Sequence, residues 1–202
     1  MIKPQGYRMS FSTGGLFLNE SVELARLHLP GEPWVETQAR AFDEGTTHLP
    51  KDASNTRTIR EIKNRIETFS EDELAYFVGA ADRADQQALL WIACCRAYRF
   101  VREFAVEVIQ DRFLSYQLDL PLESFDVFFD AKAEWNDDLA GLSMSTRLKL
   151  RQILFRMMRE ADILTADNQI QTSLLSTKLT AMIEATNIAE LAYFPGLSPE
   201  EV

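Results

Sequence analysis

Residues 89–109 (LLWIACCRAYRFVREFAVEVI) carry 16 apolar positions out of 21, interrupted by Arg96, Arg99, Arg102, Glu103 and Glu107. The arginines step by three and the glutamates follow one turn along, so the charges form one stripe on a helix. A helix apolar round the rest of its surface belongs in the middle of a helical protein, with one polar edge showing. The stretch is also long enough to tempt a membrane assignment. Each charge near a bilayer midplane costs about 2.5–3.5 kcal/mol, however, which cancels most of the apolar gain. The expectation is therefore a soluble protein built around a long helix from about residue 84 to about residue 114.

The pattern elsewhere is also mainly helical. Residues 19–29 predict a short helix closed by Pro30-Gly31, and 33–44 a second with proline near its first turn, where a missing N–H does no harm. A polar loop over 45–54 precedes a third helix capped by Ser54 or Asn55, on which Ile59, Ile62, Ile66 and Phe69 recur on one face. Ser70-Glu71-Asp72-Glu73 is a capping-box pattern opening a fourth helix to about Gly79. Beyond Pro121, residues 123–135 predict a helix with Phe125, Phe128 and Phe129 inward. A basic helix begins near Ser145, burying Leu150, Ile153, Leu154, Met157, Met158 and Ala161 on one face, with Lys149, Gln152, Arg156 and Arg159 on the other. Two β-prone runs flank Ala166-Asp167-Asn168, which fits a short β-hairpin over 163–171. Helices over 173–186 and 188–193 complete the pattern. The fold class is all-α or nearly so. The expected organisation is one helical domain over 1–202, the alternative being a 1–120 bundle followed by a winged-helix-like part over 121–202.

The 202 residues have 46% hydrophobic content, enough for a substantial core. Cys94 and Cys95 are adjacent in the central run and point about 100° apart on a helix, which suits buried reduced thiols rather than a disulfide. That usage, with an N-terminus lacking the apolar segment of a signal peptide, fits a cytoplasmic protein.

The net charge of −10 argues against indiscriminate nucleic-acid binding, but the charge is segregated. Residues 143–159 carry Arg147, Lys149, Arg151, Arg156 and Arg159 and no acid, for +5. Residues 55–65 carry Arg57, Arg60, Lys63 and Arg65 against Glu61, for +3. Residues 119–138 hold seven acids against Lys132, for −6. Arginine outnumbers lysine 15 to 6, and guanidinium groups suit phosphates and buried acidic partners. Such a surface is compatible with a nucleic-acid face and a separate acidic protein-binding face.

No catalytic or cofactor signature accompanies these charges. Gly14-Gly15 lacks the Gly-Lys-Ser/Thr of a phosphate-binding loop. His28 and His48 are the only histidines, too few for histidine-based metal clusters. A nucleophilic role for Cys94-Cys95 conflicts with their apolar setting. The acids Glu123, Asp126, Asp130 and Glu134 share a helical face that reads more simply as solvated surface than as a cation site. Neither enzyme activity nor a cofactor is expected.

Among the basic helices, Arg57, Arg60 and Asn64 face outward beside Lys63 and Arg65. The simpler reading is a solvated face with pairs Arg57–Glu61, Glu61–Arg65 and Lys63–Glu67, each worth about 0.2–0.5 kcal/mol. The other is phosphate contact near a helix start. In the second basic helix Arg147 and Arg151 lie toward the apolar arc, where they can pair with the acidic helix, while Lys149, Arg156 and Arg159 point to solvent. Residues 10–15 (SFSTGG) fit a plain turn, or a backbone nest for phosphate.

Residues 10–29, 55–79, 89–109 and 145–164, in that order, are similar to the BrxA family, a small component of BREX bacteriophage-exclusion systems. The resemblance lies in long stretches rather than a catalytic signature. It implies a cytoplasmic, non-enzymatic accessory of phage defence that binds nucleic acid and works with other BREX subunits. Taken with the charges, it points to duplex DNA held mainly by phosphate contacts from Arg57, Arg60, Lys63, Arg147, Lys149, Arg151, Arg156 and Arg159. The alternatives are an RNA-binding protein of the antitermination type, and an adaptor docking other defence subunits through its acidic helix and exposed aromatics.

Overall fold

The computed structural model describes residues 6–12, 14–44 and 53–199. His48, Pro50 and most of the 45–54 loop lie outside these residues, as does Thr13 of the SFSTGG run. The architecture is mainly helical, and no strand occurs among the described residues.

Helix α1 (Leu18–Leu27) packs on α2 (Trp34–Glu44), α3 (Ala53–Ile66) and α4 (Glu71–Gly79). The capping box at α4 forms as its sequence predicts. The Ser70 side chain accepts from the Glu73 N–H at 3.2 Å, and the Glu73 carboxylate accepts from the Ser70 N–H at 2.8 Å.

The central apolar run is buried over residues 89–95 and at Tyr98, Phe100, Val101, Phe104, Ala105 and Ile109, with Val106 exposed, but it is not one helix. Helix α5 (Arg83–Ala97) stops at Tyr98, whose backbone is extended at φ −126° and ψ 104°, and α6 (Arg99–Phe104) resumes beyond it. Tyr98 packs its ring on Phe11 at 5.3 Å and donates its hydroxyl to Glu61. Those contacts across the core hold the one residue out of helical geometry. A π-helical turn (Ala105–Gln110) and α7 (Asp111–Leu114) follow. The Gln110 amide donates to the Leu197 carbonyl at 2.8 Å and accepts from the Gly196 N–H at 3.3 Å, tying this turn to the C-terminal segment.

Helix α8 (Glu123–Ala133) delivers Phe125, Phe128 and Phe129 onto Phe100 and Phe104, with ring centroids 5.2–6.4 Å apart. The short α9 (Asp137–Ala140) leads to α10 (Met144–Glu160), capped by Ser143, whose hydroxyl accepts from the Thr146 N–H at 3.2 Å. Helix α11 (Thr177–Asn187) and a 3₁₀ turn (Ile188–Tyr193) close the chain over Trp91, which donates to the Tyr193 carbonyl at 2.8 Å. One continuous cluster of buried residues runs from Tyr7 to Phe194.

The expected hairpin is present only in miniature. An antiparallel bridge joins Leu164 to Ile170, and a second joins Asp119 to Gln169, without a ladder on either side. Asp162 and Asn168 take positive φ values of 57° and 60°, the left-handed region that short polar side chains tolerate. Among the described residues no helix is long and apolar enough to cross a membrane.

Candidate nucleic-acid interface

The basic residues separate into groups held in different ways. Arg147 is fixed against α8. It donates to Asp126 at 3.0 Å and to Asp130 at 2.5 and 2.9 Å, and lies 4.7 Å over the Phe129 ring. Arg151 donates to the same Asp126. The hydrogen bond from Arg147 holds the Asp130 carboxyl below its ordinary range. These two arginines join α10 to α8, as their position beside the apolar arc suggests. Asp126 and Asp130 are engaged by the same contacts.

Lys149, Gln152, Arg156 and Arg159 stand on the other side of α10 and are exposed. Spaced by three and four residues, they run for about 15 Å along one face. Lys149 has no ion-pair partner among the described residues. Arg156 pairs within the helix with Glu160 at 2.7 Å, yet 59% of its side-chain surface remains exposed. Arg159 donates to the Asn168 side chain at 2.8 Å and so links α10 to the tip of the miniature hairpin.

On α3, Arg57 and Arg60 are exposed and have no partner among the described residues. Lys63 pairs with Glu67 at 2.8 Å, the expected i,i+4 contact. The expected Arg57–Glu61 pair does not form, because Glu61 turns inward. Arg65, which periodicity places at the edge of the outer face, is instead fully buried. It donates to Glu61 at 3.0 Å and to the Gly15 carbonyl at 2.6 Å. The long arginine stem carries its charge across the core to an acid and a backbone oxygen, a reach that residue spacing alone does not reveal.

The bend at Gly15 and Leu16 is held from two sides, by Arg65 of α3 and by Glu160 of α10. Glu160, at the end of α10, accepts from the Leu16 N–H at 2.6 Å. A Cβ on Gly15 would fall 2.1 Å from that carboxylate, so a side chain here would push Glu160 off the Leu16 N–H. Beside the bend is a cleft of about 290 Å³ between the start of α1, Arg83 and Arg156. Phe17 provides no side-chain cap for α1. Glu160 is the anion the bend already holds, so the phosphate-nest reading of residues 10–15 gains no support. Arg83 was not among the sequence candidates.

Two arginines of the central stripe, Arg96 and Arg99, are held by carboxylates of the fold. Arg96 donates to Glu73 at 2.7 and 2.8 Å and to Glu190 at 2.7 and 2.8 Å. Arg99 pairs with Glu103 at 2.5 Å. Cys94 and Cys95 are fully buried free thiols, and burial raises both above the ordinary thiol range. That environment opposes nucleophilic use. Among the described residues no group of acids, histidines and cysteines is arranged to hold a metal ion.

Comparison with known proteins places this geometry in a family. Residues 5–187 match the model of the BrxA family. The "BREX protein BrxA" of Bacillus cereus (strain H3081.97) is 22% identical over 188 residues, covering 92% of this chain and 94% of the relative. The crystal structure of an uncharacterized protein from Magnetospirillum magneticum superposes with a TM-score of 0.80 at 18% identity. It covers 94% of this chain and 98% of that one, a likeness of fold.

Proposed function

The chain belongs to the BrxA family and so has its role in the BREX system, and from that premise we propose that it binds duplex DNA through the outer face of α10. The observation that carries the reading is the exposed row Lys149–Gln152–Arg156–Arg159, on a capped helix fixed to the fold from its opposite side by Arg147 and Arg151. A rigid row of cations with a polar amide among them suits phosphates, and phosphate contacts set affinity without reading sequence. Arg57 and Arg60 offer a second, smaller basic surface. Arg147, Arg151 and Lys63 leave the set of primary contacts, because their charges meet carboxylates and their side chains are mostly covered, whereas Arg156 stays largely exposed beside Glu160. In this reading the miniature hairpin, tied to α10 by Arg159, serves as a small wing that touches the backbone beside the duplex.

In this reading the protein is a cytoplasmic, non-enzymatic, cofactor-free accessory of phage defence. It brings DNA to other BREX subunits rather than performing chemistry itself. The test is fluorescence anisotropy with labelled duplex DNA, single-stranded DNA and duplex RNA of one sequence across a salt series. Preference for duplex DNA with steep salt dependence supports the proposal. Preference for RNA favours the antitermination-type alternative.

A further inference from the structure

The acids of α8 suggest a protein-docking face, but two of its three acids are already taken up within the fold. Asp126 and Asp130 are held by Arg147 and Arg151. Roughly 100° round the helix, centred on Val127 and Ala131 and sharing Glu123 at its edge, lies a different surface. There a groove of about 480 Å³ runs between α8 and the segment formed by the π-helical turn and α7. Its floor is Val108, Val127, Phe128 and Ala131. Val127 is 70% exposed in the middle of a well-packed helix. A single exposed valine is unremarkable, but one continuous with an apolar groove marks a surface suited to a partner.

The rim fixes the character of that partner. Asp111 and Glu123 stand on opposite sides of the groove, are exposed, and have no partner among the described residues. Glu107 adds a third carboxylate, held by Lys132 at 2.8 Å. Among the described residues lining the groove the one cation, Arg112, is turned aside, donating to the Asp119 carbonyl at 2.7 and 3.0 Å. An apolar floor between two uncompensated acids disfavours nucleic acid and favours a segment with apolar anchors flanked by lysine or arginine. A π-helical turn forms one wall, and such turns recur at functional positions because they widen the helix locally.

We propose that this groove docks a basic amphipathic helix of a partner protein. Its apolar residues at i, i+3 or i+4, and i+7 lie over Val127 and Val108, and its basic residues lie between Glu123 and Asp111. The site is separate from the α10 row, so protein docking and DNA contact are independent.

The experiment uses the full chain and a fluorescein-labelled 18-residue synthetic helix with leucines at that spacing and lysines on its flanks. A second peptide keeps the leucines and replaces every lysine with glutamate. The lysine peptide is expected to bind saturably, the glutamate peptide not to bind, and the double variant Val127→Lys/Glu123→Lys to weaken binding at least about tenfold. Both substituted side chains are exposed, and an unchanged circular dichroism melt verifies folding. Duplex DNA affinity of the variant should not fall, which separates this proposal from the DNA reading. Absence of saturable binding, equal binding of the two peptides, or full binding by the folded double variant overturns it. So does sedimentation showing that the chain self-associates and that the double variant alone is monomeric, since the occupant is then a second copy.

Discussion

Arg96 sits between Glu73 and Glu190, two carboxylates that are almost wholly buried. Burial alone would raise the Glu73 pKa, but hydrogen bonds from Arg96 and from the Ser70 backbone outweigh that and hold it below the usual carboxylate range. Replacing Arg96 with alanine leaves both acids uncompensated, so Arg96→Ala should cost about 3–5 kcal/mol in urea unfolding at neutral pH. The same residues make a pH prediction. A carboxyl whose pKa is lower in the folded state contributes its stability above the unfolded value and loses it as pH falls through the folded one. The stability gap between wild type and Glu73→Gln should therefore be widest near neutrality and narrow on acidification below the ordinary carboxylate pKa. Urea midpoints measured from pH 7 down to pH 3 check this, and a gap independent of pH would contradict it.

The elements were largely legible in the sequence because their signals are local. The Ser70–Glu73 box, the isoleucine face of α3 and the opposite faces of α10 each need only a few neighbouring residues. The break at Tyr98 was not legible, because its cause lies in contacts with Phe11 and Glu61, far away in the chain. The burial of Arg65 was hidden for the same reason, since Gly15 is 50 residues distant. For the candidate site, the sequence separated Arg147 and Arg151 from Lys149, Arg156 and Arg159, as the structure does, but it did not show that Asp126 and Asp130 are the partners that occupy them while Glu123 has no partner among the described residues. The two sides of α10 make opposite predictions. Arg147→Ala should loosen α10 from α8 and lower stability by about 1–2 kcal/mol, a value discounted because Asp130 is exposed. Lys149→Ala should leave thermal stability unchanged while weakening DNA binding. Melting curves and anisotropy on both variants check the division, and a destabilised Lys149→Ala would overturn it.

At the scale of the whole molecule, a net charge of −10 coexists with an exposed cationic row because the acids and bases are segregated. The Arg147 and Arg151 contacts neutralise the inner side of α10 against α8 and leave its outer side positive. The most direct measurement is duplex DNA affinity against salt for wild type and for Lys149→Glu/Arg156→Glu/Arg159→Glu. If the row binds phosphates, wild type loses affinity steeply with salt. The triple variant should then lose affinity at least about a hundredfold at low salt, and its log–log salt slope should be shallower by about three, with helical circular dichroism unchanged. Equal affinity and equal slope for the two folded proteins would contradict the assignment of DNA binding to α10.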